Sequence, residues 1–316
     1  MSDFFYIREY VDSHFPKEDV FDHERISNEF MHDIRQQMDN ERFENLLIHS
    51  GYIPDLYGND SSEEVLFAKL IEGLVCEWAK RMDFDAELIK QKASMEDVKI
   101  TINNQVIVCD AKSFRLGRSQ AAPNAKDFLK LEDIRKWMSR YDNCIGGLVT
   151  YPCTHEWAGK SDIYQYCSTK NAPTLMLPFK YLAYLLHYKN NFDTRDLIKL
   201  WDYETMFPHI LEKNIEGGNK VAYWRIVNEQ ICSVTRTSLQ QLDSYMNDAN
   251  ELITRCINAN LSELKEIRSQ IIQDIKSSIE QENDIEKLKE TIQSYKIEME
   301  TRLLDNLITR IEKFRL

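Results

Sequence analysis

The stretch "EDVKITINNQVIVCDAKSFRLGR", Glu96 to Arg118, decides the fold of this 316-residue chain. Two short runs in it, "VKITI" and "QVIVCDAK", are rich in β-branched and apolar residues and therefore predict two strands. Asn103 and Asn104 separate the runs and suit the centre of a tight turn, because asparagine tolerates a positive φ. The pattern predicts an antiparallel β-hairpin.

The turn also fixes which residues of the hairpin face each other. With two central turn residues, opposed residue numbers sum to 207, so Val98 faces Cys109 and Asp97 lies across from Asp110. Opposed carboxylates in a sheet, with Cβ atoms roughly 5 Å apart, repel each other unless something compensates their charge. Lys112 follows Asp110 by two residues and therefore lies on the same face of its strand.

A divalent cation would compensate the two aspartates. Mg²⁺ prefers oxygen ligands and often uses only one or two protein carboxylates, with water and substrate phosphate completing its shell. Lys112 can orient an attacking water or stabilise the charge of the transition state. The alternative is that Asp97 lies in a loop and that Asp110 and Lys112 form a surface ion pair of little value. The combined spacing favours a site for phosphodiester hydrolysis.

The charge distribution bears on nucleic-acid binding. A net charge of -12 argues against a protein that coats nucleic acid by charge alone. Residues 112–140, however, contain eight basic residues against three acidic ones. The basic residues are Lys112, Arg115, Arg118, Lys126, Lys130, Arg135, Lys136 and Arg140. Taken alone, such a run is as compatible with a solvated face as with a binding surface.

Composition and local patterns place the chain in a broad class. We expect a soluble, cytoplasmic protein, because we find no signal-peptide pattern and no run of roughly 18 apolar residues that could span a membrane. The seven cysteines are an odd number and never form C-x-x-C, so we expect reduced thiols and no zinc site. No sequence pattern indicates a nucleotide cofactor.

The chain divides into three predicted parts. Residues 1–60 form a helical N-terminal segment, residues 61–236 a mixed α/β (α+β) core domain, and residues 237–316 a helical C-terminal extension. In the core, Ser61 or Ser62 can cap a helix, a helix is expected from about Asp127 to Arg140, and "CIGGLVTYP" and "APTLMLP" predict further strands. The extension is predicted to pack on the core or on itself, or to form a dimerisation or DNA-embracing arm.

The motif residues resemble those of a known superfamily. Asp97, Asp110 and Lys112 are similar to the acids and lysine of the PD-(D/E)xK nucleases, although Glu96 stands where that motif has a proline. The segment "VCDAKSFRLGR", followed by "NAKDFLK", resembles the HindIII-like type II restriction endonucleases. A weaker similarity covers roughly residues 60–190. The resemblance implies a nuclease core with a mixed sheet flanked by helices, and largely helical N- and C-terminal additions.

The resemblance also implies an activity. It is Mg²⁺-dependent cleavage, with Mn²⁺ as a substitute, of both strands of double-stranded DNA by a homodimer. The site in the HindIII-like enzymes is the palindrome AAGCTT, cut to leave 5′ overhangs with 5′ phosphates. Asp97, Asp110 and Lys112 would be catalytic, with the two aspartates as metal ligands. Glu64 or Glu63 is the candidate third carboxylate, or else a first-turn acid favourable to the helix dipole.

The DNA contacts implied by the resemblance lie in Gly117 to Lys130, which would enter the major groove. Asn124 can pair with an adenine edge, Asp127 can accept a hydrogen bond from cytosine, and Lys126 can contact guanine or phosphate. Asp127 is alternatively a helix N-terminal charge. The expected phosphate clamps are Arg115, Arg118 and Lys130.

Two other functions stay open at this point. One is a nuclease of the same fold with looser specificity, acting in DNA repair or defence. The other is a non-catalytic helical scaffold whose C-terminal segment binds a protein partner, in which case the aspartates are incidental. Metal-dependent cleavage of DNA separates an enzyme from a scaffold.

Overall fold

Helices form the N-terminal part of the chain. The computed structural model describes residues 3–15, 22–89, 94–117, 122–152, 157–208, 214–280 and 286–312. After a short 3₁₀ turn, Asp3–Phe5, come α1 (Tyr6–Ser13), α2 (His23–Gln37) and α3 (Asn40–His49). Aspartates begin two of these helices: the side chain of Asp22 accepts a hydrogen bond from the Arg25 N–H, and that of Asp39 accepts one from the Arg42 N–H.

The strands form one large sheet and one short pair. They are β1 (Tyr52–Ile53), β2 (Asp85–Leu88), β3 (Val98–Ile102), β4 (Gln105–Ala111), β5 (Phe114–Arg115), β6 (Cys144–Tyr151) and β7 (Thr174–Pro178). The five-stranded sheet has the order β2-β3-β4-β6-β7. Its first three strands are antiparallel, and β4, β6 and β7 are parallel. The short strands β1 and β5 pair in parallel. The predicted mixed sheet flanked by helices is confirmed.

The central hairpin has the predicted turn and register. Asn103 and Asn104 have φ values of 49° and 63°, as a two-residue hairpin turn requires. Val98 pairs with Cys109, and the register continues to the pair next to the turn. Strand β4 lies in the middle of the sheet between β3 and β6, so residues on both of its faces are buried.

Helices cover both sides of the sheet. Helix α4 (Ser62–Arg81) packs against β2, β3 and β4, and its start is capped by the Ser61 side chain. The other core elements are α5 (Ala125–Phe128), α6 (Leu131–Met138), α7 (Ile163–Tyr166), α8 (Phe179–His187), the 3₁₀ turns Lys189–Asn191 and Thr194–Trp201, and α9 (Tyr203–Met206). Helix α6 packs on β4 and β6.

The helix expected from Asp127 to Arg140 is two short helices, α5 and α6. The chain leaves the helical conformation at Leu129 and Lys130, where ψ is 86° and 73°. This break lets the adjacent side chains of Phe128 and Leu129 both be buried. The single-helix prediction was therefore wrong at this position, because burial of two neighbouring residues outweighs helical continuity.

The C-terminal part is a pair of long helices packed on the core. They are α11 (Leu239–Glu280) and α12 (Glu286–Glu312), preceded by α10 (Lys220–Thr235). Ion pairs of Arg268 with Asp305 and of Lys265 with Glu312 join α11 to α12 in antiparallel order. Helix α11 packs against α3, α8 and α10. The structure therefore agrees with the packed-helix interpretation, while the domain boundaries stay a prediction. Within the described residues, no helix is long and apolar enough to cross a membrane.

Candidate active site

Strand β4 positions the first two residues of the candidate site. Asp110 is only 5% exposed, and its Oδ2 lies 2.6 Å from the Nζ of Lys112. The Lys112 N–H donates to the carbonyl of Thr150 over 2.8 Å, which fixes the end of β4 against β6. A carboxylate is costly to bury without a partner, so Lys112 compensates Asp110 directly.

Asp97 lies one residue before β3 and is tied to β4 on both sides of Asp110. Its N–H donates to the carbonyl of Cys109, and its Oδ2 accepts a hydrogen bond from the Ala111 N–H, both over 2.9 Å. Burial raises the pKa of Asp97 well above its usual range, and the charges of Glu72 and Asp110 raise it further. The two aspartates that the register brought together therefore interact electrostatically in the folded protein.

A third acid comes from helix α4. Glu72 is 7% exposed, and its Oε2 lies 2.5 Å from the Nζ of Lys69. Burial raises the pKa of Glu72; the charge of Lys69 opposes that shift, and the charge of Asp110 adds to it. We call these five residues the carboxylate cluster: Lys69, Glu72, Asp97, Asp110 and Lys112. With three acids and two bases, its formal charge is -1 when all are ionised.

Glu63 and Glu64, the two glutamates predicted as the third carboxylate, lie at the start of α4 and not in the carboxylate cluster. Glu64 accepts a hydrogen bond from the Asp60 N–H over 2.7 Å, and its Oε1 lies 3.0 Å from Arg115. Glu63 lies in the first turn of α4. Glu72 follows Glu64 by eight residues, about two turns along the helix. One signal for Glu72 was present in the sequence, since it is an acid flanked by the apolar residues of the run "LIEGLVC".

Arg115 has local partners in the structure. Its Nη1 donates to the carbonyls of Pro54 and Tyr57 over 3.0 and 2.9 Å, and its Nη2 donates to the carbonyl of Gly58 over 3.2 Å. With Glu64 as an ion-pair partner as well, the guanidinium orders the loop after β1. This arrangement favours a structural role over the phosphate clamp that we expected. Arg118, another expected clamp, lies outside the described residues.

The other predicted DNA contacts lie together around α5. Asn124, Lys126, Asp127 and Lys130 are all exposed. The Oδ1 of Asn124 accepts a hydrogen bond from the Lys126 N–H over 3.0 Å and so begins the helix. Within the described part of the chain, neither Lys126 nor Lys130 forms an ion pair. Three later residues of the basic run are paired: Arg135 with Glu132, Lys136 with Asp133 and Arg140 with Glu96.

The carboxylate cluster fits a hard divalent cation. Its acids offer only oxygen donors, and their mutual repulsion, which helps to raise the pKa of Asp97, is what a cation would relieve. The hydroxyl oxygen of Ser113, next to Lys112 in sequence, is also buried without a partner among the described residues. In the same part of the chain, no three acid, histidine or cysteine side chains already have the spacing of a formed metal site.

Comparison with protein families gives a match over most of the chain. The family model described as HindIII restriction endonuclease matches residues 16–307, which is most of the chain. That span contains the whole carboxylate cluster, helix α5 and most of α12. A search of curated proteins finds no match.

Proposed function

Because the chain belongs to the HindIII restriction endonuclease family and is thus a type II site-specific deoxyribonuclease, we propose that it cuts DNA with Mg²⁺ at AAGCTT or a related palindrome. Mn²⁺ would substitute for Mg²⁺, and the products would carry 5′ phosphates. A homodimer would place one active site on each strand, since two-fold symmetry in the protein matches the symmetry of a palindrome. The observation that carries the proposal is the buried Asp110–Lys112 pair beside Asp97.

The carboxylate cluster would hold the cation. Asp97 and Asp110 are the proposed ligands, and Glu72 takes the place of Glu64 as the third carboxylate because its charge acts on Asp97. Bound Mg²⁺ would polarise the scissile phosphate and offset its charge in the transition state. Lys69 would balance Glu72 in the absence of the cation.

Lys112 would act on the reacting groups directly. Its ammonium is held 2.6 Å from Asp110, at the end of a strand buried in the sheet, so its position is fixed before substrate binds. A preorganised positive charge at this point can orient the attacking water and stabilise the negative charge that builds on the phosphate oxygens. In-line attack of that water would break the bond from phosphorus to the 3′ oxygen, leaving a 3′ hydroxyl.

The exposed residues around α5 would contact the DNA. Asn124 and Asp127 can contact base edges, Lys126 can contact guanine or phosphate, and Lys130 can contact phosphate. Arg115 would order the supporting loop instead of clamping a phosphate, because its N–H groups already donate to carbonyls. Arg118 stays a proposed phosphate contact.

Two substitutions test the assignment of the site. Asp110→Asn and Lys112→Ala should each lower the cleavage rate by about 10³-fold or more, because each removes several kcal/mol of transition-state stabilisation. Binding of an uncut duplex, measured by gel shift with Ca²⁺ in place of Mg²⁺, should stay within about tenfold of wild type. Glu132→Gln, at an exposed ion pair, is the matched control and should cut at the wild-type rate. Full activity in both cluster variants would show that Asp110 and Lys112 are not catalytic residues.

A further inference from the structure

Glu96, the residue just before Asp97, is a buried acid that the proposed chemistry does not use. It is only 2% exposed. Its Oε1 accepts a hydrogen bond from the Tyr141 hydroxyl over 2.5 Å, and its Oε2 accepts one from the Nη1 of Arg140 over 3.0 Å. We call Glu96, Arg140 and Tyr141 the Glu96 clamp. Because both carboxylate oxygens have a donor and Arg140 compensates the charge, Glu96 itself is not suited to hold a cation.

Arg140 also holds the backbone two residues before Glu96. Its Nη2 donates to the carbonyl of Ser94 over 3.1 Å, and the indole N–H of Trp137 donates to the same carbonyl over 2.9 Å. Ser94 has a φ of 66°, a left-handed conformation that costs free energy for serine and persists because its surroundings hold it. Residues 94–96 are thus fixed by side chains from more than forty positions later in the chain.

The Glu96 clamp acts on Asp97 through one peptide bond. The Oδ2 of Asp97 accepts its hydrogen bond from the Ala111 N–H, so the direction of this carboxylate depends on where the backbone of Asp97 lies. Glu96 stands where the PD-(D/E)xK motif has a proline, whose ring would restrict the backbone at that position. In this chain, the side-chain contacts of Glu96 supply a restriction instead.

Helix α6 connects the Glu96 clamp to the proposed DNA contacts. It begins two residues after the end of α5, and Arg140 and Tyr141 come just after its last turn. The helix packs on β4 and β6, where a Cβ at Gly147 would lie only 2.8 Å from the Cγ2 of Ile134. Its eight residues span about 12 Å. Helix α6 is therefore a tightly packed spacer between α5 and the residue before Asp97.

We propose that the Glu96 clamp positions Asp97 for the cation and keeps it at a set distance from the DNA-contacting helix α5. The inference rests on the proposed function, under which Asp97 is a metal ligand. Glu96, Arg140 and Tyr141 are positioning residues, since they act through Asp97 and not on the reacting groups. A shift of about 1 Å in such a ligand can lower a rate about 10²-fold. Loss of the clamp should therefore weaken Mg²⁺ binding and slow cleavage together.

The first test compares two buried glutamates. Glu77 of α4 is 1% exposed and pairs with Arg35 and Arg81, so Glu77→Gln breaks buried ion pairs as Glu96→Gln does. Both variants should unfold more easily without metal. In an Mg²⁺ titration followed by thermal unfolding, Glu96→Gln should have a dissociation constant about tenfold or more above that of wild type, whereas Glu77→Gln should keep the wild-type value.

Cleavage per folded molecule gives the second measurement on the same variants. At saturating Mg²⁺, the rate should fall about tenfold or more for Glu96→Gln and stay unchanged for Glu77→Gln. A Glu96→Gln variant that is destabilised like Glu77→Gln but binds Mg²⁺ and cuts like wild type would overturn the inference, because Glu96 would then only stabilise the fold.

The second test removes a single hydroxyl group. Tyr141→Phe keeps the ring, which lies 5.3 Å from the Nζ of Lys99, and deletes only the group that donates to Glu96. It should raise the Mg²⁺ dissociation constant by about fivefold. Because both substitutions remove one shared hydrogen bond, the double variant should bind Mg²⁺ as Glu96→Gln alone does. Wild-type affinity in Tyr141→Phe, or a double loss equal to the product of the single losses, would overturn the inference.

These measurements separate the inference from the proposed function. If wild type binds Mg²⁺ and cuts DNA while Glu96→Gln and Tyr141→Phe do so equally well, the clamp is wrong and the proposed function stands. If wild type neither binds Mg²⁺ nor cuts DNA, the proposed function is wrong and the clamp falls with it.

Discussion

Helix α4 contains two buried glutamates, Glu72 and Glu77, whose surroundings differ in kind. Glu77 is 1% exposed and is paired with two arginines, Arg35 from α2 over 2.5 Å and Arg81 over 3.2 Å. Glu72 has one ion-pair partner, Lys69, and the negative charge of Asp110 helps to raise its pKa. Two acids in one helix, five residues apart, thus meet surplus positive charge in one case and additional negative charge in the other.

The difference separates a structural acid, Glu77, from the proposed metal ligand, Glu72. A buried carboxylate with two guanidinium partners is compensated, so Glu77 joins α2 to α4. A buried carboxylate among others is stable only if it keeps a proton or gains a cation, which is the condition of Glu72 and of Asp97. The environment of an acid therefore says more about its role than its burial does.

Among the substitutions that test this contrast, Glu77→Gln should have the largest effect, and the effect is on stability. The change leaves Arg35 and Arg81 without their carboxylate and should lower the free energy of unfolding by about 3 kcal/mol, the low end for a buried pair because Arg35 stays half exposed. Urea denaturation measures it, and cleavage per folded molecule should match wild type. A loss of less than about 1 kcal/mol would show that Glu77 has no structural role of this kind.

A smaller effect is expected of Glu72→Gln, and it falls on Mg²⁺ binding instead of on stability. It removes a proposed metal ligand and should weaken Mg²⁺ binding by about 30-fold, or roughly 2 kcal/mol, while the unfolding free energy without metal changes by less than about 1 kcal/mol. Mg²⁺ titration followed by thermal unfolding measures both quantities, since a ligand that binds the folded state stabilises it.

Glu64→Gln is the control for that measurement, because it lies on the same helix but pairs with Arg115. It should bind Mg²⁺ as wild type does. If Glu64→Gln lost Mg²⁺ affinity and Glu72→Gln kept it, the third carboxylate would be Glu64, as first expected from the sequence.

The smallest expected effect concerns pH. Because the pKa values of Glu72 and Asp97 are raised, the folded protein keeps protons that the unfolded chain releases above an ordinary carboxyl pKa of about 4. Without metal, the unfolding free energy should therefore fall as pH rises from about 4 through the raised pKa values, by at most about 1.4 kcal/mol per pH unit for each group. Glu72→Gln should reduce this slope. A slope that the substitution leaves unchanged would contradict the assignment.

The sequence predicted the hairpin and its register because these depend on local patterns. Two asparagines determined the turn, the turn determined the register, and the register brought Asp97 and Asp110 together. Membership in the restriction endonuclease family excludes the non-catalytic scaffold, because it makes the chain an enzyme.

The residues that sequence reasoning missed depend on contacts between distant segments. Glu72 joins the cluster only because α4 packs under the hairpin, and no spacing rule relates a helix to strands that follow it. Arg115 is held by carbonyls of residues 54–58 because β5 pairs with β1 across more than sixty residues of chain. Periodicity showed that the last helices were amphipathic but did not show which apolar face stays exposed.

The most direct test of the central claim is a digest of a fully sequenced plasmid by the purified protein, with and without Mg²⁺, followed by sequencing of the fragment ends. The account predicts discrete, Mg²⁺-dependent fragments whose ends share one palindrome, AAGCTT or a close relative, and none from Asp110→Asn. Ends scattered over many sequences would contradict site specificity and favour the nuclease of looser specificity. An intact plasmid with folded wild-type protein and Mg²⁺ would contradict the proposed active site.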